Sequence, residues 1–282
     1  MLLITGATGT IGRALVAEMA SRDVKVRALT RNPGMVTMPV CVEVAAGDFT
    51  DIRTLADALT GVTSVFLNPA AVGEAAPEFL ALARQHGVAK VVMLSSAAVR
   101  DDLPEQVDPL AGWHKRIEDA VTSSGAAWTI LRCFEFASNV IQQWSGQIRY
   151  AGVVREPYGL ATSSPIHERD VAAVAAEILL SDDHRGRTYP LTGPQSLTRL
   201  RMVEDIAQAI GRSVAFEEIS PEQALRAMTE NGLPFSIAES VLAMRAASVG
   251  HDAPVTPDAA RLARRPMSTF AQWAIDHVRD FV

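Results

Sequence analysis

Cysteine is scarce in this chain. Cys41 and Cys133 are the only two in 282 residues, and they make neither a CxxC pair nor a disulfide framework. Free thiols point to a reducing, cytoplasmic compartment. Lysine is nearly as rare, with Lys25, Lys90 and Lys115 alone among 26 basic residues. There is no run of basic charge, and the formal net charge of −6 argues against a nucleic-acid footprint or a polybasic membrane contact. No stretch approaches the ~20 continuous apolar residues of a membrane span. The opening MLLI gives way at once to Thr5 and Gly6 with no positive leader, so no signal peptide is expected. The six histidines are scattered without metal-ligand spacing, and no GxSxG elbow occurs.

What is present is core-forming residues, 48% of the chain, enough for one large domain or a domain with a smaller lobe. Short apolar runs at Met1–Thr5, Val24–Leu29, Val40–Val44, Ser64–Leu67, Lys90–Leu94 and Trp128–Leu131 read as buried strands. Amphipathic segments lie between them. Ile11, Leu15, Val16 and Met19 share one helical face, as do Leu55, Ala58 and Leu59, then Phe79, Leu82 and Ala83, and finally Ile117 and Val121. This alternation predicts an α/β fold: a doubly wound parallel sheet of the Rossmann kind with a smaller, mainly helical C-terminal lobe.

After Arg132 the rhythm changes. Residues 134–165 carry five glycines or prolines, Tyr150, Tyr158 and Trp144, a composition expected of loops around a pocket. Helical patterns follow at about 168–181, 198–210, 221–231, 236–248 and 268–280, with short strands at Thr188–Leu191 and Val214–Ile219. The expected division is a dinucleotide-binding unit over 1–150 and a substrate-binding lobe over 151–282, with 166–192 returning to pack on the sheet.

GATGTIG follows the first strand and opens a helix, the context in which a glycine pattern is informative. Gly6 permits the tight turn, Gly9 lets backbone amides approach a pyrophosphate, and Gly12 allows close helix–strand packing; Thr8, Thr10 and Ile11 complete the loop. An NAD-selective site usually carries Asp or Glu at the end of the second strand. Here that end reads Thr30, Arg31, Asn32, with Arg13 on the first helical turn, so NADP(H) is expected ahead of NAD(H). Later strand ends converge on the same edge: Asp48 and Phe49 suit an adenine, then come Asn68 and Pro69, then Ser95 and Ser96.

These segments, together with HKRIEDAVTSSGAAWTILR, SPIHERDVAAVAAEIL and YPLTGPQSLTRL, resemble the NmrA-like atypical short-chain dehydrogenase/reductases over nearly the whole chain. The resemblance implies NADP(H) binding and a function among quinone and dye reductases, isoflavone-type reductases or cofactor-sensing regulators. It also marks two departures. The superfamily's Tyr and its Lys four residues later align with Ala111 and Lys115, so the tyrosine acid is missing. Where related chains have proline after the LR of WTILR, this one has Cys133, which with Phe134 is expected beside the nicotinamide.

Catalytic candidates are therefore Lys115, which can bind the ribose or carboxamide, Glu135, a carboxylate between two phenylalanines, and Tyr158, a spatial substitute for the missing tyrosine. His114 lies about 100° around the helix from Lys115 and is a weaker acid candidate, while Glu118 is expected to pair with either. The expected function is an NADPH-dependent reductase acting on a quinone, enone or ketone of a small aromatic or secondary metabolite, as a monomer or homodimer. The alternatives are an NADP(H)-sensing regulator without turnover and a nonredox cyclase or isomerase.

Overall fold

The computed structural model describes residues 1–282. Its first half runs β1 (Leu2–Ile4), α1 (Thr10–Ser21), β2 (Val26–Thr30), β3 (Val42–Ala46), β4 (Ser64–Leu67), α2 (Pro69–Val72), α3 (Ala76–Gln85), β5 (Lys90–Ser96), α4 (Pro109–Ser123) and β6 (Ala127–Cys133). There follow β7 (Glu135–Phe136), α5 (Asn139–Ala151), β8 (Val153–Glu156), β9 (Thr162–Ser163), β10 (Pro165–Ile166), α6 (Glu168–Leu180) and β11 (Arg187–Leu191). The chain ends with β12 (Leu197–Thr198), α7 (Arg199–Ile210), β13 (Ala215–Glu218), α8 (Pro221–Glu230), α9 (Phe235–Ser248), α10 (Asp258–Ala263), α11 (Phe270–Asp276) and α12 (Val278–Phe281).

Seven strands form one parallel sheet in the order β11-β6-β5-β4-β1-β2-β3, the doubly wound arrangement with its switch point between β1 and β4. Alternate side chains enter opposite layers. Leu2 and Ile4 join a cluster with α1, α6 and α10, whereas Leu3 joins one with α3 and α4. The expected faces of α1 and α4 are the buried ones. A third cluster, built on Trp144, Met202, Ile206, Phe270 and Trp273, packs the later helices together. No helix is long and apolar enough to cross a membrane.

Two local expectations need correction. The Leu55–Leu59 segment is not an α-helix: it breaks into two 3-10 turns, Ile52–Leu55 and Asp57–Leu59, which still bury Leu55, Ala58 and Leu59. Residues 134–165 are not all loop. Val140, Trp144 and Ile148 recur at helical spacing, all fully buried, and Gly152 ends α5 in the left-handed region at φ 62°.

Charge networks tie the elements after β6 to one another. Arg199 is fully buried; it donates from Nε to Glu156 (3.0 Å), from Nη1 to Glu135 (3.2 Å) and from Nη2 to Gln143 (2.8 Å), and stacks on Trp144. Burial alone would push Glu156 up, but the Arg199 and Arg245 charges hold it below the usual carboxylate range. Asp170, in the first turn of α6, has a structural part. It is fully buried and accepts from the Ser268 amide (2.7 Å) beside Arg265, and His167 is the capping residue, accepting from the Arg169 amide.

At the C-terminus, His277 sets Nε2 2.8 Å from Glu168 Oε1 and Nδ1 2.9 Å from the Trp273 carbonyl. A neutral imidazole has one N–H, so making both bonds requires the imidazolium. Burial opposes the charge, but Glu168 and the carbonyl outweigh it, and the pKa of His277 is raised. A raised folded-state pKa stabilises fully below the unfolded value of about 6.5 and is lost as pH rises through the folded value. Denaturant unfolding of wild type and His277→Gln should therefore show a stability gap in mild acid that closes on the alkaline side. A gap independent of pH would contradict the charged assignment.

Candidate functional site

At the switch point the β1–α1 turn is as tight as its glycines allow. Gly6 has φ 63°, and the Gly9 amide donates back to the Gly6 carbonyl at 3.0 Å. A Cβ on Gly12 would lie 2.1 Å from the Gly6 oxygen, so only glycine lets α1 approach its strand this closely. The start of α1 has no side-chain cap and no acidic residue in its first turn. Its free amides and positive dipole end are left for an anion.

The far wall of this crevice comes from β4. Asn68 lies so near that a Cβ on Gly6 would come within 2.8 Å of its Nδ2. The Asn68 amide donates to Thr5 Oγ1 (2.8 Å), and that hydroxyl donates to the Phe66 carbonyl (3.0 Å). Thr5, fully buried and absent from the sequence-based candidates, thus joins the two strand ends. A threonine directly before the glycine loop was the available signal. Asn68 also caps α2, with Pro69 buried at its first position.

Arg13 donates from Nε to the Thr8 carbonyl at 2.6 Å and is otherwise exposed at the rim. Arg31 is exposed at the end of β2, close enough to contribute to holding the Asp48 carboxyl below its usual range, an effect led by the Thr50 hydrogen bond. Phe49 meets Phe79 edge to face at 5.2 Å and leans into the core. No carboxylate ends β2. An uncapped helix start, a glycine cradle and an arginine at this strand end fit a dinucleotide with a phosphorylated ribose.

The profile of a family described as NAD(P)H-binding matches residues 6–182, more than half of the chain. The chain belongs to this NAD(P)H-binding family. It is also similar along its whole length to two curated proteins. One is a (4-alkanoyl-5-oxo-2,5-dihydrofuran-3-yl)methyl phosphate reductase of Streptomyces griseus, 36% identical over 100% of this chain and 99% of the relative. The other is an NAD(P)H azoreductase of Xenophilus azovorans, 33% identical over 100% and 99%. In fold it resembles the NADPH-dependent quinone oxidoreductase of Escherichia coli complexed with NADPH, with TM-score 0.79, 23% identity and coverage of 99% and 100%.

Within this NAD(P)H-binding chain, the other end of the crevice lies at the carboxyl ends of β5 and β6. Ser95 is buried and donates to Glu118 Oε1 at 2.6 Å. Glu118 pairs with neither His114 nor Lys115 as a salt bridge; it accepts from Arg132 Nε (3.0 Å) and Nη2 (2.7 Å), and Arg132 forks onward to Asp101. Hydrogen bonding to Glu118 and Asp101 holds the Arg132 guanidinium firmly charged. Ser96 sits half-buried, accepting from the Ala98 amide. Lys115 pairs with Asp119 one turn on. Ala111 is buried, at 1% exposed, and brings no polar group to the position that the resemblance aligns with a tyrosine.

The remaining candidates disperse. Cys133 turns into the core, where burial pushes its thiol up, and only its backbone remains at the edge. Phe134 is 39% exposed there. Glu135 is engaged by Arg199. Tyr158 has φ 60°, donates its amide to Glu218, and lines a separate cavity of about 230 Å³ with Leu225 and Leu242 between α8 and α9. His114 Nδ1, by contrast, is shut from solvent with no hydrogen-bond partner.

Gly12→Ala should displace α1 from β1, lowering the melting temperature and weakening NAD(P)H at least about tenfold, a loss of about 1.4 kcal/mol. Thermal unfolding and nucleotide fluorescence titration check this; unchanged affinity would contradict the cradle.

Proposed function

We propose that this chain is an NADPH-dependent reductase whose acceptors are small aromatic or conjugated molecules, quinones foremost, with enones and ketones of similar shape. The observation that carries the cofactor choice is the end of β2, where Arg31 stands exposed in place of the carboxylate that would bind a ribose 2′-hydroxyl. Oxidoreductase chemistry is supported by family membership and by two full-length relatives named as reductases.

Bound NADPH supplies a hydride from nicotinamide C4. The chain's contribution is to hold and orient. The glycine turn and the α1 amides would hold the pyrophosphate and Arg31 and Arg13 the 2′-phosphate, while Lys115, on exchanging its Asp119 partner, would hold the ribose or carboxamide from α4. Phe134 offers a ring face to a flat acceptor. A conjugated acceptor suits a site in which Ala111 brings no hydroxyl, because delocalised negative charge lessens the demand for a strong acid. Glu135, tied to Arg199, acts here as a support for the strand end.

Purified protein should oxidise NADPH with 1,4-naphthoquinone or an azo dye and should prefer NADPH to NADH. Arg31→Ala should weaken NADPH about 10- to 100-fold, the worth of a charged hydrogen bond, and NADH far less. Equal losses would refute the 2′-phosphate assignment, and tight NADPH binding without oxidation by any acceptor would refute the reductase.

A further inference from the structure

The proton-donor position of the wider superfamily is empty of chemistry here, yet the same helix carries another polar group, His114, three residues on. Helix α4 connects parallel β5 and β6, so it runs antiparallel to them and its N-terminal turns overlie their carboxyl ends. Glu118 fixes its register. Its carboxylate binds Ser95 Oγ and Arg132, each the penultimate residue of its strand. His114 lies four residues earlier, on the same face and about 6 Å nearer the helix start. Both side chains lean toward the N-terminus alike, so this rise sets His114 about two strand residues further on than Glu118, at the level of Ala97 and Phe134. The Ala97 amide bonds the Cys133 carbonyl at 2.9 Å at that level. Helix α9 packs against α4.

The ring's surroundings set its protonation. Burial holds the His114 pKa down to about 4 against the opposing charge of Glu118, so the imidazole is neutral near pH 7. Nδ1 is sealed without a partner, while the residue keeps part of its surface. A buried acceptor left unpaired is tolerated better than a buried N–H left unpaired. The single proton therefore belongs on Nε2.

We infer that His114 is a catalytic hydrogen-bond donor, presenting Nε2–H from the carboxyl edge of β5 and β6 to the acceptor oxygen that gains negative charge. This rests on the reductase reading above. The acceptor takes the hydride with its two electrons from the reduced cofactor, His114 holds the resulting oxyanion, and water supplies the proton that completes the hydroxyl. His114 keeps its own proton throughout. A neutral donor in a dry site stabilises developing charge without itself having to ionise.

The test uses the full chain saturated with NADP⁺ or NADPH and the variants His114→Ala and His114→Gln. Binding of 4-nitrophenolate to the NADP⁺ complex, followed by absorbance, probes the oxyanion contact; steady-state reduction of 1,4-naphthoquinone probes catalysis. His114→Ala should weaken 4-nitrophenolate at least about tenfold and lower kcat about 10²-fold, with NADP⁺ affinity changed less than about threefold, and His114→Gln should recover part of both. Wild-type levels of phenolate binding and kcat in His114→Ala would overturn the assignment, as would a loss matched by equal loss of NADP⁺ affinity. If wild type binds the phenolate through His114 but reduces no acceptor, the donor stands and the reductase reading falls.

Discussion

Everything at the carboxyl edge of the sheet depends on one close approach, that of α1 to the Gly6 carbonyl. With no side chain on Gly12, the first turn of α1 rests on the strand end and leaves its amides free beside the switch point. The crevice can then be walled by Asn68 on the other side and joined beneath by the Thr5 hydroxyl. A methyl group at Gly12 would tilt the helix and misdirect its amides together. The uncapped cradle of amides is thus a property of backbone packing.

A second constraint is the way buried charge is matched. Glu118 is buried with Arg132, and Arg199 with Glu156 and Glu135, each with hydrogen bonds that take up much of the charge. Such networks contribute little net stability relative to apolar packing, but losing one member leaves a charge stranded, so they hold register. Glu118 sets the height of α4 against β5 and β6. Arg199 joins β7, α5 and β8 to α7 and so fixes the position of each against the others. The His167–Glu168–His277 cluster performs a similar task between α6 and the C-terminal segment, its ring nitrogens used in hydrogen bonds within the fold.

Much of the frame was legible from residue order alone. Short apolar runs set between amphipathic stretches correspond to the first six strands, because a sheet covered on both faces needs no polar alternation. The period of Val140, Trp144 and Ile148 was equally present in the sequence, but glycines and aromatics around it favoured a loop reading. Leu55, Ala58 and Leu59 were recognised as buried and misassigned in shape, since a few residues of helical spacing do not distinguish two 3-10 turns from an α-helix. Glu135 and Tyr158 were singled out for their neighbours in sequence; their partners, Arg199 and Glu218, lie about 60 residues away.

By itself the sequence determined the sheet, the glycine turn and the cofactor class, since these rest on short-range period and on backbone conformations that particular residues permit. Which polar groups are free to act was decided only by tertiary structure. Lys115, Ser95 and Glu135 acquire partners on folding, whereas His114 Nδ1 is buried without one. Local spacing places a side chain on a face of a helix or strand. Whether that face meets a counter-charge, a carbonyl or a crevice depends on contacts between distant segments, and those exist only once the chain has packed.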